Sequence, residues 1–126
     1  MARRFLLLFL LLAACALAQH RVYELRTYTC YPGKLEALEA RFRDHTIAIF
    51  NRHGMESIGY WIPQDRPNTL IYILAHPSLE AAKKHWAEFR ADPDWIKAKT
   101  ESEANGRLTI KTESVFMDPT DFSALK

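Results

Sequence analysis

The alternation of apolar and polar positions divides this chain into short strands and two amphipathic helices. Val22 to Cys30 alternates and is rich in β-branched and aromatic residues, which predicts a strand, and Pro32-Gly33 breaks it. From Lys34 the period changes to that of a helix, with Leu35, Leu38, Phe42, His45, Ile49 and Phe50 in phase on one side. Gly54 stands where a helix C-cap needs positive φ. Met55 to Ile62 and Thr69 to Ala75 read as a second and a third strand, joined by a loop holding Pro63 and Pro67. Ser78 is placed to cap a second helix with the stripe Leu79, Ala82, Trp86 and Phe89. Asp92-Pro93 reads as a new N-cap with proline at the first helical position, opening a short helix to about Ala104. Leu108 to Met117 is the fourth strand.

The order β-α-β-β-α-β predicts an α+β, ferredoxin-like fold: an antiparallel sheet with the helices on one face. Right-handed crossovers give the strand order 4-1-3-2. The third strand raises a question about the other face. Leu70 to Ala75 is apolar at every position, so both of its sides need cover. No element of the chain remains to supply the second cover, and a monomer seldom keeps so large an apolar patch in water. A second copy of the sheet would supply it, so a homodimer through the sheet face is expected.

The N-terminus reads as a targeting segment. Arg3 and Arg4 precede fourteen apolar residues, Phe5 to Ala18, fewer than the roughly 20 that a membrane-spanning helix needs. The run ends in Ala16-Leu17-Ala18, the small-x-small pattern of a signal-peptidase site. Residues 1–18 are expected to be a signal peptide and 19–126 the domain, exported to a periplasm or secreted. Leu12-Ala13-Ala14-Cys15 resembles a lipobox, and a lipoprotein anchored at Cys15 is the alternative. That cut leaves only Ala16 to His20 as a tether, so the cut after Ala18 is favoured.

Losing Arg3 and Arg4 from 17 Lys+Arg leaves a domain balanced against its 15 Asp+Glu. Nothing in that balance points to nucleic acid, nor to a membrane unless Cys15 is lipidated. Cys30 is then the sole cysteine, with no internal disulfide to form and no base among its sequence neighbours.

Tyr23-Glu24-Leu25-Arg26-Thr27-Tyr28, Pro32-Gly33-Lys34, Arg41-Phe42 and His45 resemble the opening of the NIPSNAP family. The resemblance continues through Gly54, Gly59 and Trp61, Trp86 with Phe89, Asp92-Pro93 and Trp95, and closes on Pro119-Thr120-Asp121-Phe122-Ser123. It implies a dimeric α/β barrel, in which two ferredoxin-like sheets face each other. It carries over no catalytic residues. The wider barrel superfamily includes small monooxygenases, isomerases and haem-handling enzymes, an analogy of fold alone.

Strand alternation puts Glu24, Arg26 and Tyr28 on one face and Tyr23, Leu25 and Thr27 on the other. Leu25 suggests that its own set faces the helices, so Glu24 and Arg26 are expected between the two sheets of the dimer. There Arg26 would hold an anionic ligand or, the favoured reading, form an ion pair with Glu24 that fixes the dimer interface. His45, on the apolar stripe, is expected to point at the sheet, as the candidate general base or, more simply, as a core histidine. Trp61 and Tyr72, with Trp86 and Trp95, would line a pocket for a flat ligand or form ordinary core. The five histidines form no metal-binding pattern, and the chain has no glycine-rich phosphate loop, serine nucleophile elbow or Cys-x-x-Cys, so no metal or cofactor is expected. Two functions follow. One is a homodimeric small-ligand-binding or interaction module. The other is a cofactor-independent oxygenase or isomerase acting on a flat aromatic or quinone-like substrate.

Overall fold

The computed structural model describes residues 21–126. The expected signal peptide, residues 1–18, and with it Cys15, lies outside the described residues. Strand β1 (Val22–Cys30) runs through Pro32-Gly33, where Gly33 takes φ 78°, into helix α1 (Leu35–Arg41). A π-helical turn, Phe42–Thr46, joins α1 to α2 (Ile47–Arg52). Gly54, at φ 75°, ends that helix and leads into β2 (Glu56–Trp61) and β3 (Thr69–His76). Helix α3 (Leu79–Ala91) starts at Ser78, whose hydroxyl accepts from the backbone N–H of Ala81. Helix α4 (Pro93–Ser102) starts at Asp92, whose carboxylate accepts from the N–H of Asp94 at 2.9 Å. Strand β4 (Thr109–Met117) completes the sheet.

The sheet is antiparallel with the order β2-β3-β1-β4, the order expected from the handedness of the crossovers. The core lies between the sheet and the helices, where Leu38, Phe42, Ile49, Phe50, Leu70, Tyr72, Leu74, Trp86 and Phe89 pack together. Aromatic rings dominate it. Phe42 meets Tyr28, Phe50, Tyr60 and Tyr72 edge-on at centroid distances of 5.1 to 6.1 Å. Cys30 is a buried free thiol at the end of β1, and burial pushes it up from its ordinary pKa.

The face assignment of β1 is reversed from the expectation. Trp86 on α3 donates its indole N–H to Glu24 at 2.7 Å, and Tyr28 packs on Phe42. Glu24, Arg26 and Tyr28 therefore face the helices. Leu25 pairs with Ile73 on β3 and Val115 on β4, and belongs to the outer face. The reason is that the sheet is apolar on both sides, so one leucine cannot say which side the helices cover. The outer face also has a partial cover that the pattern of elements did not disclose. Pro119, Ser123 and Leu125 of the C-terminal tail border Tyr23 and Ile73, and Tyr23 is buried.

His45 also departs from the expectation: it does not point at the sheet. The π turn places one extra residue in the helical circuit, so the inward position after Phe42 falls to Thr46. The backbone N–H of Ile47 bonds Phe42 O five residues back, and Thr46 Oγ1 donates to Arg41 O at 3.2 Å. Thr46 is buried and His45 is exposed. Periodicity at an even 3.6 residues per turn cannot register that shift.

Candidate functional site

Glu24 is the centre of a hydrogen-bond network on the helix side of β1. It is 1% exposed, and each carboxylate oxygen is fully used. Oε1 accepts from Trp86 Nε1 at 2.7 Å and from His76 Nε2 at 2.9 Å. Oε2 accepts from Ser114 Oγ at 2.6 Å and from Arg26 Nη1 at 2.8 Å. Four donors fill the four lone-pair sites of an ionised carboxylate. Burial alone would raise its pKa, but the bonds from His76, Ser114, Trp86 and Arg26 outweigh that and hold it at about 2. An ionised carboxylate accepts only, so His76 must carry its proton on Nε2.

The network fixes Arg26 in turn. The guanidinium lies 4.2 Å from the Trp86 ring centroid, held between the indole and Glu24. Burial works against its charge, yet Tyr28, Tyr72 and Glu24 more than offset this and raise its pKa. Arg26 also donates to Tyr28 Oη, from Nε at 3.3 Å and Nη2 at 3.1 Å, and Tyr72 Oη donates to the same oxygen at 2.9 Å. Tyr28 Oη thus receives three contacts, and among the described residues its own proton has no acceptor. Burial, and then Tyr28, push the Tyr72 hydroxyl well above its usual value, so Tyr72 stays a neutral donor.

Arg26 and Tyr28 border a cavity of about 540 Å³ between the sheet and the helices, within the size range of small-molecule sites. The end of α1 and the π turn supply Arg41, Phe42 and Thr46 to its wall, and α3 and α4 supply Trp86, Phe89 and Trp95. Phe89 and Trp95 lie 4.6 Å apart and form an aromatic flank. Arg41 is buried, with Trp95 5.0 Å from its guanidinium carbon.

The site therefore brings together three of the residues singled out from sequence, Glu24, Arg26 and Tyr28, with Tyr72 as their support. It leaves out two. Trp61 is half-exposed on the outer face of β2, its ring folded over Gly59, on the far side of the sheet from the cavity. His45 sits on the outer side of the helix near Asp44 and Glu101, remote from Arg26. Three residues of the site were missed: His76, Ser114 and Arg41. Arg41 left a trace in the sequence, because an arginine three residues after Leu38 falls beside the apolar stripe. His76 and Ser114 left none, since their meeting with Glu24 depends on strand register. Among the described residues no cluster of acidic, histidine or cysteine side chains is arranged for a metal, and no helix is long and apolar enough to cross a membrane.

This architecture, a four-stranded antiparallel sheet with a walled cavity under its helices, is that of one protomer of the dimeric α/β-barrel superfamily. The NIPSNAP family profile matches residues 23–124, and the chain belongs to that family. Among solved structures it is similar to a NIPSNAP family protein of unknown function from Agrobacterium tumefaciens, at 30% identity and TM-score 0.75, covering 86% of this chain and 96% of that one. An uncharacterised NIPSNAP-like domain protein from Burkholderia xenovorans matches at 23% identity and TM-score 0.73, over 83% and 90% of the two chains. SnoaB, a cofactor-independent oxygenase from Streptomyces nogalater, shares the fold at 18% identity and TM-score 0.61, over 85% and 99%. No curated protein matches the chain.

Proposed function

We propose that this protein is an exported, homodimeric small-ligand-binding module whose ligand enters the cavity between the sheet and the helices. The observation that carries the reading is the contrast within that cavity. An aromatic flank, Trp86, Phe89 and Trp95, faces cationic side chains, of which Arg26 is held by a buried network. Such a combination of apolar wall and few fixed polar groups suits a flat, partly aromatic molecule. Dimerisation is supported by Leu25, Ile71, Ile73, Trp61 and Val115, an apolar set on the outer face that the tail covers only at its Tyr23 end. Export is supported by the Arg3-Arg4 start, the short apolar run and Ala16-Leu17-Ala18. Intact mass of the native protein is expected to give Gln19 as the first residue, and a retained Met1 would refute export.

A thermal-shift screen against quinones, haem and aromatic acids tests the ligand reading. A ligand at a hundredfold excess over its Kd adds about 2.7 kcal/mol of stability, a readily measured shift in a domain of this size. Thr112 is exposed and borders the cavity, so Thr112→Trp is expected to fold and to abolish the shift. A shift that persists in Thr112→Trp would move the site elsewhere.

One observation favours a second reading, a cofactor-independent oxygenase or isomerase. The chain Arg26–Tyr28–Tyr72 brings a phenolic proton to the cavity wall, and a positioned proton is what such chemistry requires. Tyr28, rather than His45, is then the acid/base group. Turnover of a flat phenolic or quinone-like substrate that disappears in Tyr28→Phe with the fold intact would establish this reading. Turnover unchanged in that variant would refute it.

A further inference from the structure

Formal charge in the domain is balanced, yet the cavity is not. Arg26, Arg41, Arg90, Lys99 and Arg107 border it, against Glu103 as the single carboxylate of the lining. Arg26 is neutralised by Glu24, and Arg90, Lys99 and Arg107 are exposed to water, which screens them.

Arg41 is different. It is 6% exposed, and among the described residues only its Nη1 finds partners. These are Ser102 Oγ at 3.2 Å and Glu103 Oε1 at 3.6 Å, the latter beyond hydrogen-bond length. Its Nε is buried without any partner. Burial is also the main influence on its pKa, which lies below the ordinary value for arginine. A buried guanidinium with one edge unused is costly for a small domain to keep. The Nε edge of arginine is one side of the planar fork that receives the two oxygens of a carboxylate. One face of the guanidinium is already occupied, with Trp95 at 5.0 Å and Phe89 beside that indole.

Given a ligand in this cavity, on which the inference rests, we infer that it is a planar aromatic carboxylate, its anionic group paired with the under-satisfied guanidinium of Arg41 and its ring along the Trp95–Phe89 flank. Arg41 is thus a binding residue at the entry to the π turn, not a structural ion-pair partner. The two roles differ in their consequences. Replacing a poorly paired buried charge with an apolar residue of similar shape is commonly neutral or stabilising. Removing one partner of a structural ion pair is not.

The test compares 2-naphthoate with its neutral isostere 2-naphthamide by calorimetry, on the wild-type protein, Arg41→Met and Arg41→Lys. The wild type is expected to bind naphthoate at least tenfold tighter than naphthamide. In Arg41→Met the preference should fall to about one, with naphthamide binding kept and Tm equal to or above the wild-type value. Arg41→Lys, with charge but no fork, should restore only part of the preference. Equal binding of the two compounds by the wild type, or a preference retained in Arg41→Met, would overturn the inference and leave the ligand site standing. A lower Tm or loss of fold in Arg41→Met would also overturn it, by making Arg41 structural. If the wild type binds neither compound at millimolar concentration, the cavity is not a site for such molecules, and both the ligand reading and the role of Arg41 fail.

Discussion

The two faces of one four-stranded sheet carry opposite solutions to the same problem. On the helix side, β1 presents Glu24, Arg26 and Tyr28, polar groups that hydrogen-bond to side chains from three other elements or to one another. On the outer side the same strand presents Leu25 and Thr27, next to Ile71, Ile73 and Val115, with no buried charge. A polar residue can be buried only where its partners are prearranged, and the helix side has them in His76, Trp86 and Ser114. An apolar face needs no directional partner and accepts any complementary surface. Under the proposed function the difference separates the roles: specificity for a small molecule on one side, association with a second sheet on the other.

The largest effect that would separate the faces is expected at Glu24. Glu24→Gln keeps one acceptor oxygen but turns the other into an NH2 group that faces two donors, and it leaves the half-buried Arg26 without its counter-charge, so a loss of about 3–5 kcal/mol is expected in urea unfolding. A loss below about 1 kcal/mol would mean that water already reaches the network. On the outer face, Val115→Glu combined with Trp61→Glu changes two half-exposed residues that the monomer's core does not need. Light scattering at micromolar concentration should show the dimer of the parent protein become a folded monomer. A parent protein that is already monomeric would refute the sheet-to-sheet association.

Acid should act on the Glu24 network. The Glu24 carboxyl is held at about 2, below its ordinary 4.5, so its contribution is complete above pH 4.5 and is lost as pH falls towards 2. In Glu24→Gln, stability between pH 4.5 and 2 should fall less steeply than in the parent. The same slope in both proteins would assign the acid sensitivity to other carboxylates. The smallest effect is expected at His45, which is exposed and away from the cavity. His45→Ala should change stability by no more than about 0.5 kcal/mol and leave ligand affinity unaltered. A tenfold loss of affinity would return His45 to the site.

Most of the fold is legible in the sequence because its signals are local. Ser78 and Asp92-Pro93 cap the helices that their residue types announce, and the third strand shows its two apolar faces directly. The site is legible only in part. Glu24, Arg26 and Tyr28 stand out because charge and hydroxyl alternate with apolar residues along β1. Which way they face does not, because Leu25 is an equally good core residue and the choice is made by Trp86, 62 positions away. His45 escapes for a different reason. A π turn shifts the phase of a helix by one residue without changing its composition, and Thr46, small and polar, gives no hint that it is the inward residue.

If ligand binds on the helix side while the outer face is reserved for association, the three tryptophans report on it. Trp86 and Trp95 line the cavity, whereas Trp61 lies on the outer face. Titration of the isotope-labelled protein with 2-naphthoate, followed by its three indole N–H resonances, separates the two faces in one experiment. Saturable shifts of the Trp86 and Trp95 resonances are predicted, with Trp61 unmoved. A saturable shift of Trp61 alone, with the cavity indoles silent, would contradict this division of the sheet.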